Sequence, residues 1–288
     1  MNFLQPSTWS EALAMKAAHP EAVPIAGGTD VMVEINLDHR RPDTVMDLTR
    51  VADLAEWATE DGLVRVGAGV TYTRIIDELG DRMPGLAMAS RTVGSPQIRN
   101  RGTVGGNLGT ASPAGDAHPP LLASDALVEL ASASGTRRVP VREFFTGPKR
   151  NAARKDELVA AFLIEPATGP QTFSKVGTRN AMVIAVCSFA LALDVGRRQA
   201  RTGIGSAGPT PLQAREAEQF IDGELDWDGR RPPGDAAVAR FGELVAAAAK
   251  PIDDVRGTSA YRRHALSVMA RRSLAWAWQD YRTGRWPA

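Results

Sequence analysis

Apolar and polar positions alternate between two periods along the N-terminal half of the chain. Trp9, Ala12, Leu13 and Ala17 recur at helical spacing behind a Ser7 or Thr8 cap, and His19-Pro20 ends the run. Ala22-Val23-Pro24-Ile25-Ala26 is a short apolar run stopped by Gly27-Gly28, which predicts a strand entering a tight turn. A helix over 30–36, strands over 44–48 and 63–67, and helices over 72–79 and 86–91 follow from the same patterns. From Val93 to Pro120 periodicity gives way to Gly, Pro, Ser, Thr and Asn, and residues 103–116 are predicted to form a long ordered loop. Strand patterns return over 126–130, 137–141 and 158–164.

Pro166-Ala167-Thr168-Gly169-Pro170 has the composition of a short linker and divides the chain into 1–168 and 169–288. Beyond it, strands are expected over 172–176, 183–193 and 200–204. Helices are expected over 212–220, 236–249 and 259–280, with a surface loop over 222–234. Strands followed by helices in blocks predict an α+β domain.

Composition narrows the chemistry. A length of 288 residues suits two domains, and 43% hydrophobic residues exclude wholesale disorder. Lys and Arg total 34 against 33 Asp and Glu, so nothing favours nucleic acid. The single cysteine, Cys187, excludes an internal disulfide and an iron–sulfur cluster of the chain's own, and reads as a small core residue. His19, His39, His118 and His264 have no metal-ligand spacing. No signal peptide or membrane-length apolar run is legible, which predicts a soluble, cytoplasmic protein.

Three glycine-rich stretches are candidates for phosphate binding. The first is Pro24-Ile25-Ala26-Gly27-Gly28-Thr29-Asp30-Val31, where backbone N–H groups can converge at a helix start. Taken alone, the stretch is better explained by a plain strand-to-helix turn capped by Thr29 or Asp30. The second is Gly102-Thr103-Val104-Gly105-Gly106-Asn107, with Asp116 further on as an acceptor for sugar hydroxyls. Here a structural turn with a capping Asp is the alternative. The third, Gly203-Ile204-Gly205-Ser206-Ala207-Gly208, matches a dinucleotide fingerprint in letters only. Pro209 and Pro211 forbid the helix that must follow. The last helix carries Arg262, Arg263, Arg271 and Arg272 and is expected to show a solvated basic face, with a partner-binding face as the alternative.

The segments 26–30, 97–108 and 111–116, together with 173–179 and 208–211, resemble the FAD-binding medium subunits of molybdenum hydroxylases, the xanthine dehydrogenase and carbon monoxide dehydrogenase group. The resemblance implies a two-subdomain FAD fold of the vanillyl-alcohol-oxidase type, split near 55–60, and a smaller α+β C-terminal domain. It implies that residues 24–31 and 103–107 bind the cofactor, with 26–31 and 103–107 wrapping the pyrophosphate, and that Asp116 holds ribose or ribityl hydroxyls. Val159 would line the adenine, Lys175 would bond the flavin carbonyl edge, and Ile184 would lie near the reactive flavin nitrogen. It further implies an oxidoreductase subunit, in a dimer of heterotrimers. An iron–sulfur small subunit with two [2Fe–2S] clusters and a large subunit with molybdenum–molybdopterin would complete it, and electrons would leave to NAD⁺ or another acceptor. Residues 175–186 and 252–263 resemble purine-oxidising members, which implies xanthine or another purine as substrate. A stand-alone flavin oxidase and a non-enzymatic nucleotide-binding assembly protein are the other classes.

Overall fold

A computed structural model describes residues 1–286; the last two positions of the expected 169–288 domain lie outside the described residues. The chain forms two compact units, and neither is a continuous stretch. One comprises Met1–Arg74, Ser95–Ser112 and Ala126–Glu165; the other comprises Ile75–Gly94, Pro113–Asp125 and the chain from Pro166 on.

The first unit contains strands β1 (Asn2–Leu4), β2 (Val23–Ile25), β3 (Thr44–Asp47), β4 (Trp57–Glu60), β5 (Leu63–Gly67), β6 (Leu127–Ser132), β7 (Gly135–Pro140), β8 (Phe145–Gly147), β9 (Arg150–Asn151) and β10 (Leu158–Ile164). β1, β3 and β2 make a small parallel sheet in that order. Parallel pairing needs a crossover, and the helix Trp9–Ala18 supplies it between β1 and β2. Thr8 caps that helix by accepting from the Glu11 backbone N–H. Ala12, Met46, Leu48, Val51, Leu54, Ala68 and Leu158 form the core behind this sheet. A second sheet is antiparallel, in the order β4-β5-β10-β6-β7, and β8 and β9 form a separate hairpin. β10 lies centrally and is buried along nearly its whole length, consistent with its unbroken apolar sequence.

The second unit is built on the antiparallel meander β11 (Gln171–Val176), β12 (Cys187–Asp194) and β13 (Gln199–Gly205). The helices Arg215–Glu224, Asp235–Ala248 and Ser259–Thr283 bury their apolar sides with Cys187, Phe189, Leu191 and Ile204. A second, smaller cluster joins Ala190 and Ala192 to Ala123 of the helix His118–Ala123, so β12 is buried on both faces. Trp227 and Trp278 pack edge to face and Tyr281 lies tilted against both, with centroids 5.2–6.0 Å apart.

Several sequence expectations need correction. Residues 103–116 are not one loop, because Thr103 caps a helix over Val104–Thr110. β4 was not legible, since its polar side is exposed and it gains its partner only from β5. Residues 183–186 are not strand; β12 begins at Cys187. The 222–234 stretch is no mere surface loop, because the helix before it runs to Glu224 and Leu225 and Trp227 are buried. The helix expected from 212 begins at Arg215, and Leu212 instead bridges Ile204.

Candidate cofactor-binding site

In the first unit β2 delivers the chain to a turn over 26–30, and Gly28 there takes φ +75°, which favours glycine. Gly27 is dictated by a close approach. A Cβ on it would lie 1.9 Å from the Arg101 carbonyl oxygen and 2.8 Å from the Gly102 nitrogen. A Cβ on Gly102 would lie 3.3 Å from Thr29 Oγ1, and one on Gly106 would lie 3.8 Å from Ala26 Cβ. The two glycine-rich segments, some 75 positions apart in sequence, therefore touch. Thr103 Oγ1 accepts from the Gly106 N–H at 2.9 Å, and the Thr103 carbonyl accepts from Asn107 at 3.0 Å. Gly105 answers to another neighbour. A Cβ on it would meet Ala68 at 2.5 Å, so it lets the helix lie against the chain after β5.

Around this junction backbone donors are left over. Among the described residues, the N–H groups of Gly27, Gly28, Thr29 and Gly105 have no acceptor in the chain. N–H groups without acceptors, clustered in this way along the chain, suit an anion such as a diphosphate. Asp30 precedes the helix Val31–Asn36 without a side-chain cap bond and is exposed, as is Pro24, while Ile25 and Val31 are half-buried. Val104 is buried. Val159 sits on β10 at a β-bulge in its pairing with β6, which turns a half-buried side chain out of the regular alternation.

In the second unit the structure joins Asp116 to Lys175. Lys175 Nζ donates to Asp116 Oδ2 at 2.5 Å and to the Thr92 carbonyl at 3.3 Å, and Thr92 Oγ1 donates to the same Oδ2 at 3.2 Å. Both charged side chains are 9% exposed. Burial pushes the Asp116 carboxyl above its usual range, against the pull of Lys175 and Thr92. Asp116 Oδ1 is buried and has no partner among the described residues, so it remains open to a donor. Thr92, at the end of the helix Pro84–Thr92, was missed; a lone Thr at a helix end carries no sequence signal for this role. Ile184 is 54% exposed on the loop between β11 and β12, beside a shallow depression lined by Thr178, Arg179, Met182, Val183 and Arg256.

Gly203 and Gly205 lie on β13, where a Cβ on Gly203 would fall 2.0 Å from the Pro119 carbonyl oxygen. No helix follows directly, the next beginning at Arg215, so this stretch lacks the context of a dinucleotide fingerprint. Cys187 is buried, and burial pushes its thiol up to about 12. Arg262 corrects the expected basic face: it is 3% exposed, while Arg263, Arg271 and Arg272 are exposed. Among the described residues no group of three His, Cys, Asp or Glu could hold a metal, and no helix is long and apolar enough to cross a membrane.

Comparison with known proteins supplies the family. Residues 1–166 match the FAD binding domain in molybdopterin dehydrogenase, and residues 172–277 match the CO dehydrogenase flavoprotein C-terminal domain. The chain belongs to the FAD-binding medium subunits of the molybdenum hydroxylases. It is an FAD-dependent oxidoreductase subunit, with the fold that the family implies. Within the family it is 30% identical to the xanthine dehydrogenase FAD-binding subunit of Escherichia coli O157:H7, over 93% of both chains. It is 34% identical to the nicotinate dehydrogenase FAD-subunit of Eubacterium barkeri, over 77% of this chain and 79% of that one. The fold superposes on reconstituted CO dehydrogenase from Oligotropha carboxidovorans with a TM-score of 0.88 at 26% identity, covering 97% and 98% of the two chains.

Proposed function

We propose that this subunit passes electrons from the [2Fe–2S] clusters of a small partner subunit to NAD⁺ or another acceptor. A large molybdenum–molybdopterin subunit hydroxylates xanthine or a related purine, and the assembly is a cytoplasmic dimer of heterotrimers. Residues 1–168 form the FAD-binding domain and 169–288 the C-terminal domain. The observation that carries the site assignment is the touching pair of glycine segments with backbone N–H groups left without acceptors.

Bound FAD supplies the ability to take electrons singly and release them as a pair. The chain's part is to hold and orient it. The N–H groups around Gly27, Gly28, Thr29 and Gly105 bind the pyrophosphate oxygens, and Ala26, Thr103, Val104, Gly106 and Asn107 shape that cradle. Asp116 Oδ1, left open in the structure, accepts a ribose or ribityl hydroxyl, while Oδ2 stays with Lys175. Lys175 donates to the flavin carbonyl edge from beside this carboxylate, Val159 lines the adenine, and Ile184 shields the reactive ring nitrogen from water. The names of the relatives span xanthine, nicotinate and carbon monoxide dehydrogenases. The purine assignment therefore rests on the likeness of residues 175–186 and 252–263 to purine-oxidising members.

The test is to purify the chain alone and together with its neighbouring-gene products. The co-purified complex should carry iron, molybdenum and FAD, and xanthine should bleach its flavin. In the isolated chain xanthine should leave the flavin oxidised. Bleaching of the isolated, cluster-free chain would overturn the relay and make it a stand-alone oxidase; a purified chain without FAD would overturn both.

A further inference from the structure

Arg262 is a buried arginine on an otherwise apolar helix side, next to Ala265, Leu266 and Met269. Its Nη1 donates to the carbonyl oxygens of Val186 at 2.8 Å and Ser206 at 2.6 Å, and its Nη2 donates to Asp254 Oδ1 at 2.5 Å. Its Nε is buried without a partner among the described residues. A buried charge with an unmet donor is a poor way to gain stability, and an apolar residue of similar volume often does as well. What the guanidinium does, and an apolar residue cannot, is join three separate pieces of chain.

One of those pieces is the neck of the loop between β11 and β12. The Val186 N–H donates to the Val176 carbonyl at 2.8 Å while its own carbonyl accepts from Arg262, so both peptide groups of Val186 are held. At the tip, Arg179 Nε donates to the Met182 carbonyl at 3.1 Å. Ile184 lies between these two ties, in a stretch without strand hydrogen bonds. The third piece, around Asp254, is itself rigid. Asp254 and Gly257 exchange backbone hydrogen bonds at 3.2 Å, and Asp254 Oδ1 accepts from the Arg256 N–H at 2.8 Å. Gly257 also packs on Val186, since a Cβ there would lie 3.1 Å from Val186 Cγ1. The same segment sends Arg256 to the depression beside Ile184.

We infer that Arg262, clamped by Asp254, is a positioning residue that fixes the loop 177–186 and thereby the placement of Ile184 against the flavin ring. The second half of this statement rests on the function proposed above. Hydrogen exchange on the full chain tests the first half directly. In Arg262→Met, amides of residues 177–186 should exchange at least tenfold faster, with those of the helix Ser259–Thr283 unchanged. In Arg262→Lys, which keeps the charge but lacks the fork, the increase should be smaller. If the Met variant does not fold, the Lys variant carries the comparison. Unchanged exchange of the loop in a folded variant overturns the clamp. The FAD-loaded chain tests the second half: flavin content should stay at the wild-type level while the visible absorption and circular dichroism of the flavin shift and its reduced form reacts faster with dioxygen. Faster loop exchange with an unaltered flavin spectrum overturns the link to the flavin. A wild-type chain that binds no FAD overturns the proposed function, and the exchange result still decides the clamp.

Discussion

The two units use the same residue types for opposite ends. In the first, glycines bring two backbone segments into contact at Gly27 and Gly102 and leave N–H groups without acceptors around them. In the second, Gly203 makes an equally close approach to the Pro119 backbone and Gly205 a close one to Ser188 and Pro119, but they sit inside a ladder where Ser188 and Ala190 face them across β12 and β13. A glycine motif thus marks close approach of backbone. Whether it can bind anything depends on the donors left after the fold has used its own. Charge does not divide the units in the same way, because each buries an ion-paired carboxylate: Glu157 with Arg137 in the first and Asp116 with Lys175 in the second. Their surroundings shift the two carboxyls in opposite directions.

The largest expected effect probes buried charge. Asp116→Ala strands the Lys175 ammonium and should destabilise the protein by about 3–5 kcal/mol in urea unfolding. Asp116→Asn keeps an acceptor and should fold better, yet bind FAD roughly ten- to a hundredfold more weakly. A wild-type affinity in the Asn variant would return Asp116 to a purely structural role.

Next come the glycines. Gly27→Ala and Gly203→Ala both force backbone apart and should each cost about 3 kcal/mol. Only Gly27→Ala should also lose FAD from the folded fraction, measured by flavin fluorescence after denaturation. Equal flavin loss in the two variants would erase the distinction between the units.

A pH series sharpens the contrast in charge. The Arg137 side chain and the Arg154 N–H hold the Glu157 carboxyl below its usual 4.5. The unfolded chain therefore binds that proton first. The stability Glu157 contributes is complete above about pH 4.5 and lost as pH falls through the lower folded value. Burial raises Asp116, which has the reverse sign: its contribution is greatest at low pH and declines as pH rises from the unfolded value through the folded one. Glu157→Gln should lower the urea midpoint at pH 7, and the gap to wild type should narrow steadily as pH falls below about 4.5. A gap that does not narrow there would show that packing, and not charge, accounts for Glu157.

The smallest effect concerns Cys187. Buried, with a thiol pushed up to about 12, it should not react with iodoacetamide in the folded chain over hours at pH 8. Rapid native labelling would mean that β12 opens far more readily than its two-sided burial implies.

Much was legible in the chain itself. The helix at 9–18 follows from its cap and apolar spacing. The strand at 158–164 follows from an unbroken run of apolar residues. The two prolines after Gly208 argue against the third glycine stretch as a nucleotide site. The order of motifs also identified the family. These are local properties, set by steric preference and by which side chains leave water, and they need no knowledge of distant partners. The tertiary structure decided the rest. Only folding shows that Gly105 serves Ala68, that Gly27 serves Arg101, and that Thr92 joins Asp116 and Lys175. It also turns Arg262 inward to the ends of β12 and β13, although its neighbours Arg263 and Arg271 on the same helix face water. Sequence spacing fixes which residues share a helix face. Which carbonyls and carboxylates that face will meet depends on segments tens of residues away, and those partners determine whether a charge is solvated or buried.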